Sequence, residues 1–209
     1  MADRGILFSA PMVRALLAGP KTQTRRLISK PEYYGCPTGD CPHERQVECN
    51  AAMQALAGEI VPHAVGDRLY VREAWAKDDL MPNAVRYVAT DDIHELRRKR
   101  PSIHMPRWAS RLWLTVTDVR VQPLQDISEA DAIAEGIEPI DHQGQRGWKS
   151  YETYSDGTPH PHASVPNKSP VTSYRELWDS LHRDAGTRWA DNPWIYALTF
   201  TVHEGNIDA

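Results

Sequence analysis

The chain has 209 residues, of which 41% are hydrophobic and 25% are charged, and its formal net charge is -4. This balance predicts a globular protein with a hydrophobic core, and it excludes a chain that coats nucleic acid through its overall charge. No apolar run reaches the length of a membrane span, and residues 1–10 lack the charged and apolar regions of a secretory signal. We therefore expect a cytoplasmic protein with no membrane partner. We find no internal repeat and expect residues 1–209 to form a single domain, while the oligomeric state is not fixed by the sequence.

The first predicted helix covers residues 9–18, where apolar residues recur at helical spacing. Ser9 is a candidate N-cap, and Gly19 followed by Pro20 ends the helix. A short strand is expected over residues 26–29. The residues between these elements therefore form a tight link, which is a common place for groups that face a ligand.

This link concentrates chemically useful side chains. A threonine hydroxyl becomes a good nucleophile only when a base takes its proton, and a lysine amine can be that base when its pKa is lowered. A hydroxyl paired with a lysine is a known variant of the nucleophile and base used for acyl transfer. A solvated basic turn is the alternative, because short motifs often match by accident. The residues concerned are Lys21, Thr22, Thr24, Arg25 and Arg26.

All three cysteines fall in one window, Cys36, Cys41 and Cys49, with His43 between the last two. Three thiolates and an imidazole can hold zinc in a closed tetrahedral site, which would stabilise a loop with little core of its own. The spacing is not that of a standard zinc finger. Reduced thiols in a cytosolic loop are the alternative to a structural zinc site.

The next predicted strand follows a turn at Gly66 and covers residues 68–72, where Leu69 and Val71 alternate with polar neighbours. Glu73 and Trp75 come directly after it. A further strand is expected over residues 84–89.

Residues 94–111 are the most basic part of the chain and also carry Trp108. Guanidinium groups can neutralise phosphates while an aromatic ring stacks on a base, so this stretch is a candidate contact for RNA or a nucleoside. A charged surface with a structural role is the alternative. The cationic residues are Arg97, Arg98, Lys99, Arg100, Arg107 and Arg111.

Residues 111–122 give the clearest strand pattern, and the apolar phase changes partway along it, which indicates a bend of the kind that helps to close a barrel. A short helix capped by Asp126 or Ser128 should end at Gly136. Glu135 would then lie at the negative end of the helix dipole, which raises a carboxyl pKa and suits a proton donor. A solvated glutamate at a helix end is the alternative.

The last part of the chain begins with a polar stretch, residues 137–170, that we interpret as a long excursion. Ser173 and Glu176 form a capping-box pattern that predicts a helix up to Arg183. A strand is expected over residues 195–203.

The order of these motifs resembles an ASCH domain. Residues 6–19, 21–26 and 66–73 carry the resemblance, and residues 103–111 and 192–194 are similar to the larger ASCH proteins of phages and prophages. The resemblance implies an α+β protein with a PUA-like fold, a small mixed β-barrel with flanking helices, made for RNA or nucleotide ligands. Two long insertions fall outside it, at about residues 32–64 and 138–170.

Within that superfamily, the N(4)-acetylcytidine amidohydrolases use a lysine, a threonine three residues later and a glutamate. Residues 19–24 are similar to their turn, which implies Lys21 as the base and Thr24 as the nucleophile. The glutamate falls on Glu135, with Glu73 as the substitute. The expected substrate-binding residues are Arg25, Arg26, Glu73, Trp75, Arg107 and Trp108.

The resemblance thus implies amide hydrolysis on an N(4)-acylated cytosine base or nucleoside, with no cofactor needed for catalysis. A different class of function stays open, namely a non-catalytic module that binds RNA or a modified nucleotide. A ribonuclease of the same family is a third alternative, but we find no histidine pair to serve it.

Overall fold

The computed structural model describes residues 3–28, 53, 55–78, 81, 84–91, 98–152 and 165–209. Over these residues the protein is an α+β structure, as predicted, with a five-stranded mixed sheet and short helices. The four candidate zinc ligands lie outside the described residues: Cys36, Cys41, His43 and Cys49. The prediction of a structural zinc site therefore stays a prediction.

Nine strands and four α-helices are assigned within the described part of the chain. The strands are β1 Asp3–Leu7, β2 Gln23–Leu27, β3 Arg68–Arg72, β4 Trp75–Lys77, β5 Val85–Tyr87, β6 Leu112–Pro123, β7 Pro139–His142, β8 Gln145–Trp148 and β9 Trp194–Glu204. The helices are α1 Ala10–Ala18, α2 Ala57–Ile60, α3 Glu129–Ala134 and α4 Pro170–Leu181. None of the helices in these ranges has the length and apolar character needed to cross a membrane.

The main sheet has the strand order β1-β3-β6-β9-β2. β1 pairs with β3 in parallel, whereas β3 pairs with β6 in antiparallel. β1 and β2 are therefore the outer strands, and over the described residues the sheet is not a closed barrel. Two hairpins, β4–β5 and β7–β8, form separate two-stranded sheets.

Helix α1 has the ends that the sequence predicts. Ser9 has an extended backbone at the N-cap, and Gly19 has φ 94° at the C-cap, where its N–H donates to the carbonyl of Leu16. Glycine adopts this left-handed conformation without a steric penalty, so the helix can end there before Pro20. β2 then begins at Gln23, earlier than the predicted strand over residues 26–29. Lys21 therefore lies on the link, whereas Thr24 lies within a strand.

Strand β6 shows the predicted change of phase. Leu112, Leu114 and Val116 are buried in its first half, whereas Val121 and Pro123 are buried in its second half. Since side chains alternate strictly along a regular strand, the shift from even to odd positions requires a local irregularity.

Helix α4 begins earlier than predicted, because Ser169 and not Ser173 is its N-cap. The Ser169 side chain accepts a hydrogen bond from the N–H of Val171, and Pro170 occupies the first turn, where a missing N–H costs nothing. Glu176 instead accepts hydrogen bonds from Ser150 and from the N–H of Tyr151.

The described part of the polar excursion contains a hairpin that we did not predict. β7 and β8 are joined by Gln143 and Gly144, with φ 54° and φ 81°. Two successive residues with positive φ give the turn that suits the twist of a two-residue hairpin. The N–H of Gly144 also donates to the Asp141 carboxylate at 2.9 Å.

The chain divides into two compact units. Unit 1 consists of Met1–Thr22, His63–Asp118 and Thr199–Ala209, and unit 2 of Gln23–Pro62 and Val119–Leu198. In unit 1, Trp75, Met105 and Ala109 form a hydrophobic cluster. In unit 2, a larger core cluster is built from Leu124, Ile127, Ala132, Ile137, Tyr174, Trp178, Ile195 and Ala197. The prediction of a single domain stays a prediction.

Candidate functional site

Lys21 follows the end of α1 and is buried in unit 1, with only 1% of its surface exposed. Its N–H donates to the carbonyl of Ala15 at 3.3 Å, and its Nζ lies 5.6 Å from the centroid of the Phe8 ring. A lysine is almost never fully buried without a partner or a function, because its ammonium group loses hydration. The burial of Lys21 therefore shows that this side chain is not part of a solvated basic turn.

Thr24 lies on β2 in unit 2 and is also buried, as are its neighbours Gln23 and Arg25. Successive side chains of a strand point to opposite faces, so Gln23 and Arg25 share one face and Thr24 belongs to the other. In agreement, Arg25 Nη1 donates to Gln23 Oε1 at 2.6 Å. Arg26, the next residue, is half-buried.

Arg25 and Glu135, both predicted as site residues, are in contact within unit 2. Arg25 Nη1 donates to Glu135 Oε1 at 3.1 Å, and the side chains are 0% and 5% exposed. Arg25 Nη2 also lies 3.1 Å from Asp131 Oδ2, close enough for an ion pair but without hydrogen-bond geometry. The guanidinium carbon is 5.9 Å from the Tyr174 ring centroid. Two carboxylates thus compensate one buried cation.

Helix α3 supplies both carboxylates. Its N-cap is Ser128, one of the two predicted caps, and Ser128 and Asp131 form a capping box. Glu135 is the C-cap, and its N–H donates to the carbonyl of Asp131. Because residues four apart share a helix face, Asp131 and Glu135 can reach the same guanidinium.

The charges around Asp131 favour its ionised form. Burial by itself would raise the pKa of Asp131, but the hydrogen bond from Arg120, the Ser128 N–H and the charge of Arg25 lower it to about 2. A hydrogen bond from the Gln23 side chain acts in the same direction. Asp131 is therefore an anion at neutral pH and a fixed part of the Arg25 cluster.

Glu73 lies in unit 1, directly after β3, and is almost fully buried. Arg111 donates to both of its oxygens, with Nε 2.9 Å from Oε1 and Nη2 3.1 Å from Oε2. Burial raises the pKa of the Glu73 carboxyl, and the hydrogen bonds from Arg111 oppose this rise without cancelling it. Glu73 is therefore easier to protonate than an ordinary glutamate, which is the property that a general acid needs.

The two tryptophans predicted to stack on a base lie together in unit 1. The Trp75 and Trp108 rings are edge to face, with centroids 6.1 Å apart. Trp75 is 1% exposed, so its faces are covered, and Arg100 lies 5.1 Å from its ring. Trp108 is 58% exposed. Only Trp108 therefore offers an open ring to a ligand.

Arg107 serves a structural role in unit 1. Its Nη2 lies 2.7 Å from Asp3 Oδ2, and its Nε donates to Asp208 Oδ2 at 2.8 Å. These contacts connect β1, the residues before β6 and the end of the chain. A phosphate would have to compete with two carboxylates for this guanidinium.

Sequence reasoning missed Asp131, Gln23 and Tyr174, which complete the environment of Arg25. The spacing of Asp131 and Glu135 on a helix was a usable signal, since four residues is one turn. No local pattern connects that helix face to β2. Among residues predicted for the site, Lys21, Glu73, Trp75, Arg107 and Trp108 lie in unit 1, and Thr24, Arg25, Arg26 and Glu135 lie in unit 2.

Comparisons with known proteins add no assignment: no protein-family model, no curated protein and no solved structure matches this chain. The resemblance to ASCH domains rests on the sequence motifs alone and stays a prediction.

Proposed function

We propose that the protein is an ASCH-type amidohydrolase that removes the acyl group from N(4)-acylated cytosine nucleosides. The observation that supports this most strongly is the burial of Lys21 in the sequence Lys21-Thr22-Gln23-Thr24. A solvated basic turn, the main alternative for this motif, would leave the lysine in water. The PUA-like barrel is part of the same proposal. The mixed sheet and short helices support an α+β fold, which is the broader class to which such a barrel belongs.

In the proposed reaction, Lys21 acts as the base and Thr24 as the nucleophile. Burial disfavours a charged ammonium, and a neutral amine can take the proton of an alcohol. The Thr24 oxygen attacks the acyl carbon, the bond from that carbon to the exocyclic nitrogen breaks, and the nitrogen receives a proton as it leaves. Water then cleaves the ester on Thr24 and releases the carboxylic acid.

We assign the proton on the departing nitrogen to Glu73 in preference to Glu135. Both carboxylates are paired with an arginine, but burial raises the pKa of the Glu73 carboxyl despite its hydrogen bonds from Arg111, and this favours proton donation.

Incubation with N(4)-acetylcytidine, followed by chromatography for cytidine, tests the proposal. Lys21→Met and Thr24→Val keep the buried volume and remove the reactive groups, so each should lower kcat/KM by at least about 1,000-fold. Thr22→Val and Lys77→Met alter exposed residues of the same types and should leave turnover unchanged. The proposal fails if the folded wild-type protein releases no cytidine, or if both buried variants retain full activity.

A second function is supported by a separate observation. Trp108 exposes its ring, and Arg98, Lys99 and Arg100 are exposed in the same unit. Open aromatic rings beside cations bind single-stranded RNA, and stacking of one base contributes about 1–3 kcal/mol. Binding of an RNA oligonucleotide that weakens with salt, is lost in Trp108→Ala and persists in Trp108→Phe would support this module. RNA binding that is equal in wild type and Trp108→Ala would exclude Trp108 as its platform.

A further inference from the structure

We propose that Arg25, Glu135 and Asp131 form a positioning clamp, which holds β2 so that Thr24 presents its hydroxyl in one fixed direction. This inference rests on the proposed function for its chemistry, but its geometry stands independently. It assigns Glu135 a positioning role in place of the proton transfer predicted from the sequence. All residues of the clamp belong to unit 2.

The clamp acts on one face of β2. Arg25 and Gln23 share that face and contact each other at 2.6 Å, while Thr24 lies between them in the sequence. Rotation of the strand about its axis, or a slip by one residue, would exchange the two faces. Fixing Gln23 and Arg25 therefore fixes the direction of the Thr24 side chain.

The two carboxylates of the clamp are held in place by contacts within and next to helix α3. Asp131 is held by the capping box with Ser128, and Arg120 donates to its Oδ1 at 3.0 Å. Glu135 lies one turn later on the same helix. The guanidinium of Arg25 thus meets two carboxylates whose separation is set by α3.

Because Arg25 is buried, water cannot replace the carboxylates that it contacts. The Arg25 side chain is fully buried, and its Nε has no hydrogen-bond partner among the described residues. A buried cation cannot exchange its carboxylates for water when one is removed, so the strand must move or the charge must be exposed. Loss of the Glu135 carboxylate should therefore displace strand β2, including Thr24, which precedes Arg25 in that strand.

The clamp predicts a kinetic signature that differs from that of an acid. Glu135→Gln should lower kcat for N(4)-acetylcytidine by about 100-fold, the loss expected for a small misplacement of a reacting group, with KM changed by less than about twofold. The shape of the pH profile should persist, since the protonated group is elsewhere. Glu135→Asp, which keeps the charge, should recover part of kcat. Loss of one limb of the pH profile in Glu135→Gln would overturn the proposal and make Glu135 the acid.

A measurement without substrate separates the clamp from the proposed function. The backbone order parameter of Thr24, from NMR relaxation, should fall from about 0.85 in the wild type to below about 0.6 in Glu135→Gln. Glu138→Gln, which removes a carboxylate paired with Lys149 outside the clamp, is the matched control and should leave Thr24 unchanged. Gln23→Ala replaces Glu135→Gln if that variant does not fold. An unchanged order parameter in the folded variant would overturn the clamp, whereas absence of turnover in the wild type would overturn only the proposed hydrolase.

Discussion

Glu73 accepts two hydrogen bonds from Arg111, and the same guanidinium lies 3.9 Å from the centroid of the Tyr87 ring. This pair connects the residue after β3 to the residue before β6. It also leaves a carboxyl whose pKa is raised by burial even though a cation is bound to it. The pair therefore links β3 to β6 and also sets the pKa of the Glu73 carboxyl.

Removal of the Arg111 guanidinium should destabilise the fold. Arg111→Met leaves the Glu73 carboxyl buried without its cation, and breaking a buried pair in this way costs about 3 kcal/mol. Urea denaturation measures the loss in free energy of unfolding. Arg146→Met is the matched control, because Arg146 forms a solvent-exposed ion pair with Asp141 in which Nε lies 3.7 Å from Oδ2. Such a surface pair contributes little, so the change in the free energy of unfolding should be too small to measure. Equal stability of both variants and the wild type would contradict the structural role of the pair.

Protonation of Asp131 at low pH should lower the free energy of unfolding. The pKa of this carboxyl is lowered from 3.8 to about 2, so the stability it contributes is present above pH 3.8 and is lost as the pH falls through about 2. The shift corresponds to about 2 kcal/mol. Unfolding free energies of wild type and Asp131→Asn, measured across this range, should converge as the pH falls. Parallel curves would show that Asp131 is not stabilised as an anion.

Two glycine substitutions should have opposite effects. A Cβ at Gly147 would lie 2.5 Å from the carbonyl oxygen of Asn167 and 2.7 Å from Pro166 Cβ, so Gly147→Ala should destabilise unit 2 by about 1–3 kcal/mol. Gly58 lies in α2 with no atom within 4 Å of such a Cβ, and Gly58→Ala should stabilise by up to about 1 kcal/mol. Thermal denaturation of both variants measures the two signs. A gain in stability for Gly147→Ala would contradict the close approach of β8 to Asn167.

The elements that the sequence predicted well are those specified by local signals. Gly19 ends α1, and Ser128 caps α3, because each is decided within one turn of the chain. Local signals also misled us where two of them compete. Ser173 and Glu176 fit a capping box, but Ser169 followed by Pro170 is the cap that the fold uses.

The contacts of the candidate site residues could not be predicted from the sequence, because they join residues that are far apart along the chain. Arg25 and Glu135 are 110 positions apart, and Glu73 and Arg111 are 38 positions apart. A side-chain pattern indicates which face of an element is polar, but not which partner that face will meet. The positions of Glu73 after a strand and of Glu135 at a helix end were therefore predictable, whereas their pairing with Arg111 and Arg25 was not.

The most direct test of the proposed chemistry is capture of the acyl group on Thr24. Wild-type protein, mixed with N(4)-acetylcytidine and quenched in acid during turnover, should carry an acetyl group on the peptide that contains Thr24, detected by mass spectrometry. Thr24→Val should acquire none under the same conditions. Release of cytidine at the wild-type rate by Thr24→Val, with no acetylated peptide in either protein, would contradict the proposed chemistry.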